Sequence, residues 1–159
     1  MLKTRILIAM LVFPLALFNG VSAQAADCED TVGRHMVGEA LLAAHFVALA
    51  EKAGMTRDAI NAILKSVAER SAIQEFWITD PAGHAYLTNT GVDFTFSPNE
   101  AKEPQASAFW PLLNGGKDVV IQGARKREID DQIFKYVGVA GVDKARIVQV
   151  GVAAANLCK

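Results

Sequence analysis

The chain has 159 residues, 52% of them hydrophobic and 21% charged, with 16 Lys and Arg against 17 Asp and Glu. There is no basic excess of the kind that nucleic-acid binding requires. The charges are mixed along the sequence, so no block reads as a disordered tail.

Residues 1–26 carry the pattern of a secretory signal peptide. Lys3 and Arg5 form a basic start, an apolar run follows, and Ala23, Gln24 and Ala25 match a cleavage site. The run is interrupted by Pro14 and falls short of the ~18 residues expected of a spanning helix. No other segment is apolar enough to cross a membrane. Asp27 stands where a lipidated cysteine would want a small residue, which argues against an anchor at Cys28. The expected product is a periplasmic or secreted chain, 27–159, the size of one domain with a real core. Removing Lys3 and Arg5 from the 16 basic residues leaves 14 against 17 acidic, a net charge of −3.

Cys28 and Cys158 lie at the two ends of that product. In an exported protein they read as one disulfide tying the ends together, with two separate thiols as the alternative.

Residues 31–53 have a helical pattern and Gly54 is a suitable stop. The stretch 40–50 is apolar nearly all the way round, so it needs cover on more than one side. A sheet can supply one side; a second helix or a second copy of the chain, giving a homodimer through this helix, can supply the other. His45 is the polar residue of the stretch and reads as a packed or capped core histidine. Thr56 is a fitting N-cap for a second helix over 57–71, whose apolar stripe is Ile60, Ile63, Leu64 and Val67.

The runs 75–79 and 84–89 flank Asp80, Pro81, Ala82 and Gly83, a strong hairpin signal. Residues 90–107 are polar, broken by Pro98 and Pro104, and long enough to read as a lid or flexible segment. A short helical or turn-like piece follows at 108–113. Three strands, 118–128, 133–142 and 146–152, then form an antiparallel meander.

Strand alternation sorts the meander into two faces. Val120, Ala124, Val137, Val139, Val148 and Val150 make an apolar face for a helix to cover, with Glu128 set beside Lys135 as a cross-strand ion pair. The other face carries Gly123, Arg125, Arg127, Tyr136, Gly138, Ala140, Gln149 and Gly151. It reads either as the floor of a ligand pocket, its glycines leaving room, or as a partly solvated sheet face. On the first reading Arg125 and Arg127 hold a carboxylate-bearing small organic ligand, Tyr136 and Trp110 supply aromatic walls, and Gln149 a hydrogen bond. On the second the arginines pair with Glu128, Asp130 or Asp143, and the aromatics pack in a core. The whole is an α+β domain, N-terminal helices on an antiparallel sheet of about five strands.

The run 76–89, Phe-Trp-Ile-Thr-Asp-Pro-Ala-Gly-His-Ala-Tyr-Leu-Thr-Asn, resembles the first hairpin of Cache domains, extracytoplasmic PAS-like sensor modules. The segments 94–98 and 104–113 look like the part that covers the pocket in such domains, and the meander extends the resemblance over roughly residues 31–152. It implies a non-catalytic small-molecule sensor feeding chemotaxis or another signal-transduction partner, here an unknown membrane receptor or kinase. The chain itself carries no transmembrane helix and no output domain.

Enzyme signatures are missing. No nucleophile elbow, phosphate-cradling glycine loop or zinc-protease motif occurs, and His35, His45 and His84 lack metal-ligand spacing. His35 and Glu39, four apart on the helix, could share a metal but read more simply as a solvated pair. Asp130 and Asp131 read as turn residues. No cofactor is expected, and no haem attachment motif is present. The competing reading is an exported enzyme or haem-handling protein whose site follows no known pattern.

Overall fold

The computed structural model describes residues 19–158, with side chains from residue 26 onward. Most of the expected leader, residues 1–18, lies outside the described residues. Helix α1 spans Asn19–Lys52 and α2 spans Arg57–Ala68. Thr56 caps α2 as expected, its Oγ1 accepting from Ala59 N at 3.2 Å. Strands β1 (Glu75–Thr79) and β2 (Ala85–Thr88) form the hairpin, and a 3-10 helix covers Ala106–Leu112. Strands β3 (Val119–Ile121), β4 (Arg125–Lys126), β5 (Ile133–Ala140) and β6 (Ile147–Ala153) complete one antiparallel sheet. Its order is β2-β1-β6-β5-β3, with β4 also pairing β5. The fold is α+β, with six strands where about five were expected.

The hairpin turn depends on Gly83, whose φ of +89° is poorly accessible to other residues. Asp80 Oδ1 closes the same turn by accepting from Ala82 N and His84 N.

One face of the sheet carries Phe76, Ile78, Val137, Val139, Val148 and Val150, and packs on Met36, Ala40, Ala44 and Val47 of α1. Burial of the Val, Ile, Phe and Met side chains among them contributes about 1.5–3 kcal/mol each, which makes this layer the main stabilising block. The other face carries Trp77, Phe134, Tyr136 and Ile147 beneath Phe96, Phe109 and Leu112. The domain therefore has three layers: helices, sheet, and a roof made by residues 94–113.

The β5–β6 register is the one that alternation predicted, Val137 opposite Val150 and Val139 opposite Val148. The third strand departs from expectation. It breaks after Ile121, and Val120 opposes Gly138, so it lies on the roof side and not with the valines under α1. The break is held by Glu29 of α1, whose Oε1 accepts from Ala124 N at 2.7 Å, and by Lys135 of β5, whose Nζ donates to Gln122 O at 3.1 Å. The same contacts displace the expected Glu128–Lys135 pair. Lys135 pairs with Glu29 instead, at 3.3 Å.

Helix α1 buries one side on the sheet, while His45 is exposed on the other, beside Leu42 and Leu49 at 73% and 67% exposure. The histidine is thus not a core residue. Cys28 and Cys158 form a disulfide with their Cα atoms 6.2 Å apart.

Candidate functional site

The sheet face under the roof is where the sequence placed a candidate pocket. Pairing there sets Glu75, Gly151 and Tyr136 in one row across β1, β6 and β5, with Trp77, Gln149 and Gly138 in the next row. Strand alternation turns all six toward the roof.

The two glycines are needed for close approach. A Cβ on Gly151 would stand 2.5 Å from the Tyr136 ring, and one on Gly138 would stand 2.7 Å from Phe109. The room that these glycines leave is therefore filled by aromatic side chains of the protein itself. The ring of Tyr136 lies across Gly151, and this lets its hydroxyl donate to Glu75 Oε2 at 2.7 Å. Trp77 Nε1 donates to the same oxygen at 3.0 Å.

Arg127 reaches this carboxylate from beyond β4. Its Nη1 donates to Glu75 Oε1, while Nε and Nη2 form a two-pronged pair with Asp130. The guanidinium lies 4.2 Å from the centroid of the Phe134 ring, which is itself stacked on Tyr136. Bonding to Asp130, with further help from Tyr136 and Glu75, raises Arg127 and keeps it charged. Burial raises the Tyr136 phenol, and the nearby negative charge of Glu75 adds to that, so Tyr136 stays neutral and serves as a donor. Asp130 is lowered by its bonds from Arg127. The group is a satisfied network of one cation between two carboxylates.

Beside the network lies a cavity of about 20 Å³, lined among others by Trp77, Phe96, Gln105, Tyr136 and Gln149. That is room for a single water molecule. Gln105 is one of the lining residues, and its Nε2 is buried without a hydrogen-bond partner, although buried amides ordinarily find one. The roof is latched at this point. Glu128 Oε1 accepts from Gln105 N at 2.6 Å, and Gln122 Nε2 donates to Gln105 O at 3.1 Å. An acidic side chain at the start of the Ala106–Leu112 turn also suits the free N–H groups there.

Of the five residues predicted to line a pocket, Tyr136 and Gln149 line this cavity, and Arg127 stands beside it with its Nη1 3.5 Å from the Tyr136 hydroxyl. Arg125 faces an open groove outside the roof, beside Pro104, Ser107 and Pro111. Trp110 packs over the Gly83 turn, within 2.8 Å of where a Cβ would be, and is not part of the cavity wall. Of the two sequence readings for the arginines, charge pairing describes Arg127, with Asp130 as anticipated and Glu75 as the unanticipated partner. Glu75 and Trp77 were missed. The signal was present: in the run 75–79 alternation puts Glu75 and Trp77 on one side and Phe76 and Ile78 on the other.

Among the described residues no group of three or more His, Cys, Asp or Glu is placed to hold a metal. No protein-family model matches the chain, and no curated protein is significantly similar to it.

Proposed function

We propose that the protein is an exported, non-catalytic small-molecule binding or sensing domain of the PAS-like Cache type, with its ligand site between the sheet and the roof. Export through a cleaved leader, output to a membrane receptor or kinase, and pairing of two copies along α1 belong to the same reading. The observation that carries it is the unpartnered Gln105 amide in a cavity walled by Trp77, Tyr136 and Gln149. An unsatisfied buried donor costs about 1–3 kcal/mol, which a ligand acceptor would recover. The latched segment above the cavity lies where the resemblance expects a pocket cover. The cavity is far below the roughly 300–1,000 Å³ of ligand pockets, so binding must lift the roof and exchange the Glu128 latch for contacts to the ligand.

A thermal-shift screen with amino acids, carboxylates, purines and amines tests this. A ligand should raise the melting temperature, quench or enhance Trp77 fluorescence, and lose at least tenfold in affinity on Gln105→Ala or Gln149→Ala. Ligands that bind the Gln105→Ala and Gln149→Ala proteins as well as the wild type would place the site elsewhere and overturn the reading.

A further inference from the structure

The helix layer contains a second opening, on the opposite side of the sheet from the roof. Helix α2 packs on β1 and β2, whereas α1 crosses β5 and β6. The two helices diverge over the sheet and leave a groove of about 310 Å³ between them, walled by Leu42, Phe46, Ile63, Val67 and Phe76. That volume lies at the lower end of small-molecule sites, and the walls are almost wholly apolar, as such sites generally are. Leu42, Ile63 and Val67 expose 73%, 38% and 43% of their surface, so the groove is open to solvent.

Its polar groups are unequal. Ser71 Oγ is engaged with the backbone of Ile73, accepting from its N at 3.2 Å. Glu39 is the charged residue in the lining, and among the described residues it makes no hydrogen bond or salt bridge. Desolvation raises its carboxyl group, against the opposing influence of His35 one turn earlier on α1. Glu39 is itself solvent-exposed and lies at the open edge of the groove, and an apolar slot with a carboxylate at its mouth complements a molecule with an apolar body and a single positive charge at one end.

We propose that the α1–α2 groove binds a small hydrophobic amine, its hydrocarbon body against Phe46, Ile63 and Val67 and its ammonium on the Glu39 carboxylate. The site is independent of the one under the roof and stands or falls separately from it. An ammonium bound there would make a charge-assisted hydrogen bond that an alcohol of equal length would make only weakly.

Titration of the full chain with n-octylamine, octanol and octanoate decides the matter, read by calorimetry and by the methyl resonances of Ile63, Leu64 and Ile73. Octylamine should bind at least tenfold more tightly than octanol, with octanoate weakest, and should shift those methyl signals. Glu39→Gln should bring octylamine to the level of octanol without altering octanol binding. Val67→Lys, at a half-exposed position that tolerates change, should abolish octylamine binding. The proposal is overturned if octylamine shows no advantage over octanol, or if Glu39→Gln leaves that advantage intact. A response confined to Trp77 and the roof would equally overturn it. So would failure of all three probes in a chain that light scattering shows to be a dimer and whose Leu42 methyl signals are protected from a soluble paramagnetic probe, since a second copy would then occupy the groove.

Discussion

Glu75 is about 10% exposed at its side chain and Arg127 about 11%, and Glu75 depends on Arg127 for its charge to be tolerated in the sheet, whereas Arg127 also has Asp130. Arg127→Ala leaves a buried carboxylate with only the neutral donors of Tyr136 and Trp77. It should cost ~3–5 kcal/mol of stability in denaturant unfolding. Arg125→Ala, two residues away but exposed, should change stability by no more than about 0.5 kcal/mol. Equal effects at the two positions would mean that the Glu75 network does not exist in solution. Gly138→Ala offers an independent check of the packing under the roof. Its new methyl meets Phe109 at 2.7 Å, and overpacking of this kind costs ~1–3 kcal/mol. The sequence could show that Arg125, Arg127 and Tyr136 share a strand face, because that follows from the period of two. It could not show which arginine is committed to a carboxylate, because Glu75 lies 52 residues before Arg127 and only the fold brings them together.

At the level of elements, the far end of α1 is fastened to the β5–β6 turn and to β2 by one carboxylate. Glu51 accepts from Lys144 Nζ and Arg146 Nη2, each at 2.8 Å, and from the hydroxyl of Tyr86. Arg146 is only 1% exposed and also pairs with Asp143 at 2.9 Å. Burial by itself would raise Glu51, but the bonds from Lys144, Tyr86 and Arg146 outweigh it and hold the group at about 2. A folded-state value below the ordinary glutamate value of about 4.3 gives stability that is present above that pH and lost as pH falls toward 2. Unfolding midpoints in urea should therefore drop steeply between about pH 4.3 and 2, and the drop should be shallower in Glu51→Gln, which is already weakened at neutral pH. A drop equally steep in Glu51→Gln would assign the acid sensitivity to other carboxylates. The same scale shows what an alternating pattern can and cannot carry. The β5–β6 pairing was legible because Val137 and Val139 of β5 and Val148, Val150 and Val152 of β6 alternate with residues of the opposite face. The third strand was not, because its break is imposed by Glu29, a residue 95 positions from Ala124, and local sequence says nothing about such a contact. A slip of one residue was enough to carry Val120 to the opposite face.

For the whole molecule, the disulfide between Cys28 and Cys158 closes a loop of 130 residues in sequence separation. In the chain-entropy account, closing so long a loop stabilises the fold by about 5 kcal/mol through the unfolded ensemble. Reduction, or the paired change Cys28→Ser with Cys158→Ser, should lower the denaturation midpoint markedly while leaving the folded spectrum intact. An unchanged midpoint would show that the cross-link adds nothing. The cysteine positions made this pairing readable from the sequence, although the sequence left two separate thiols as an alternative. With the Cα atoms of Cys28 and Cys158 only 6.2 Å apart, the path from α1 through the last strand is nearly a closed ring. A linker of about three residues is long enough to complete that ring as peptide. The order in which the elements follow one another is then a matter of where the ring is cut. A circular permutant that begins at Lys102 and ends at Ala101, in the exposed turn of the roof, should fold to the same sheet and keep the Glu75–Arg127 network. Because the cut falls just before the latched residue Gln105, the permutant would also separate the stability of the sheet from the closure of the roof.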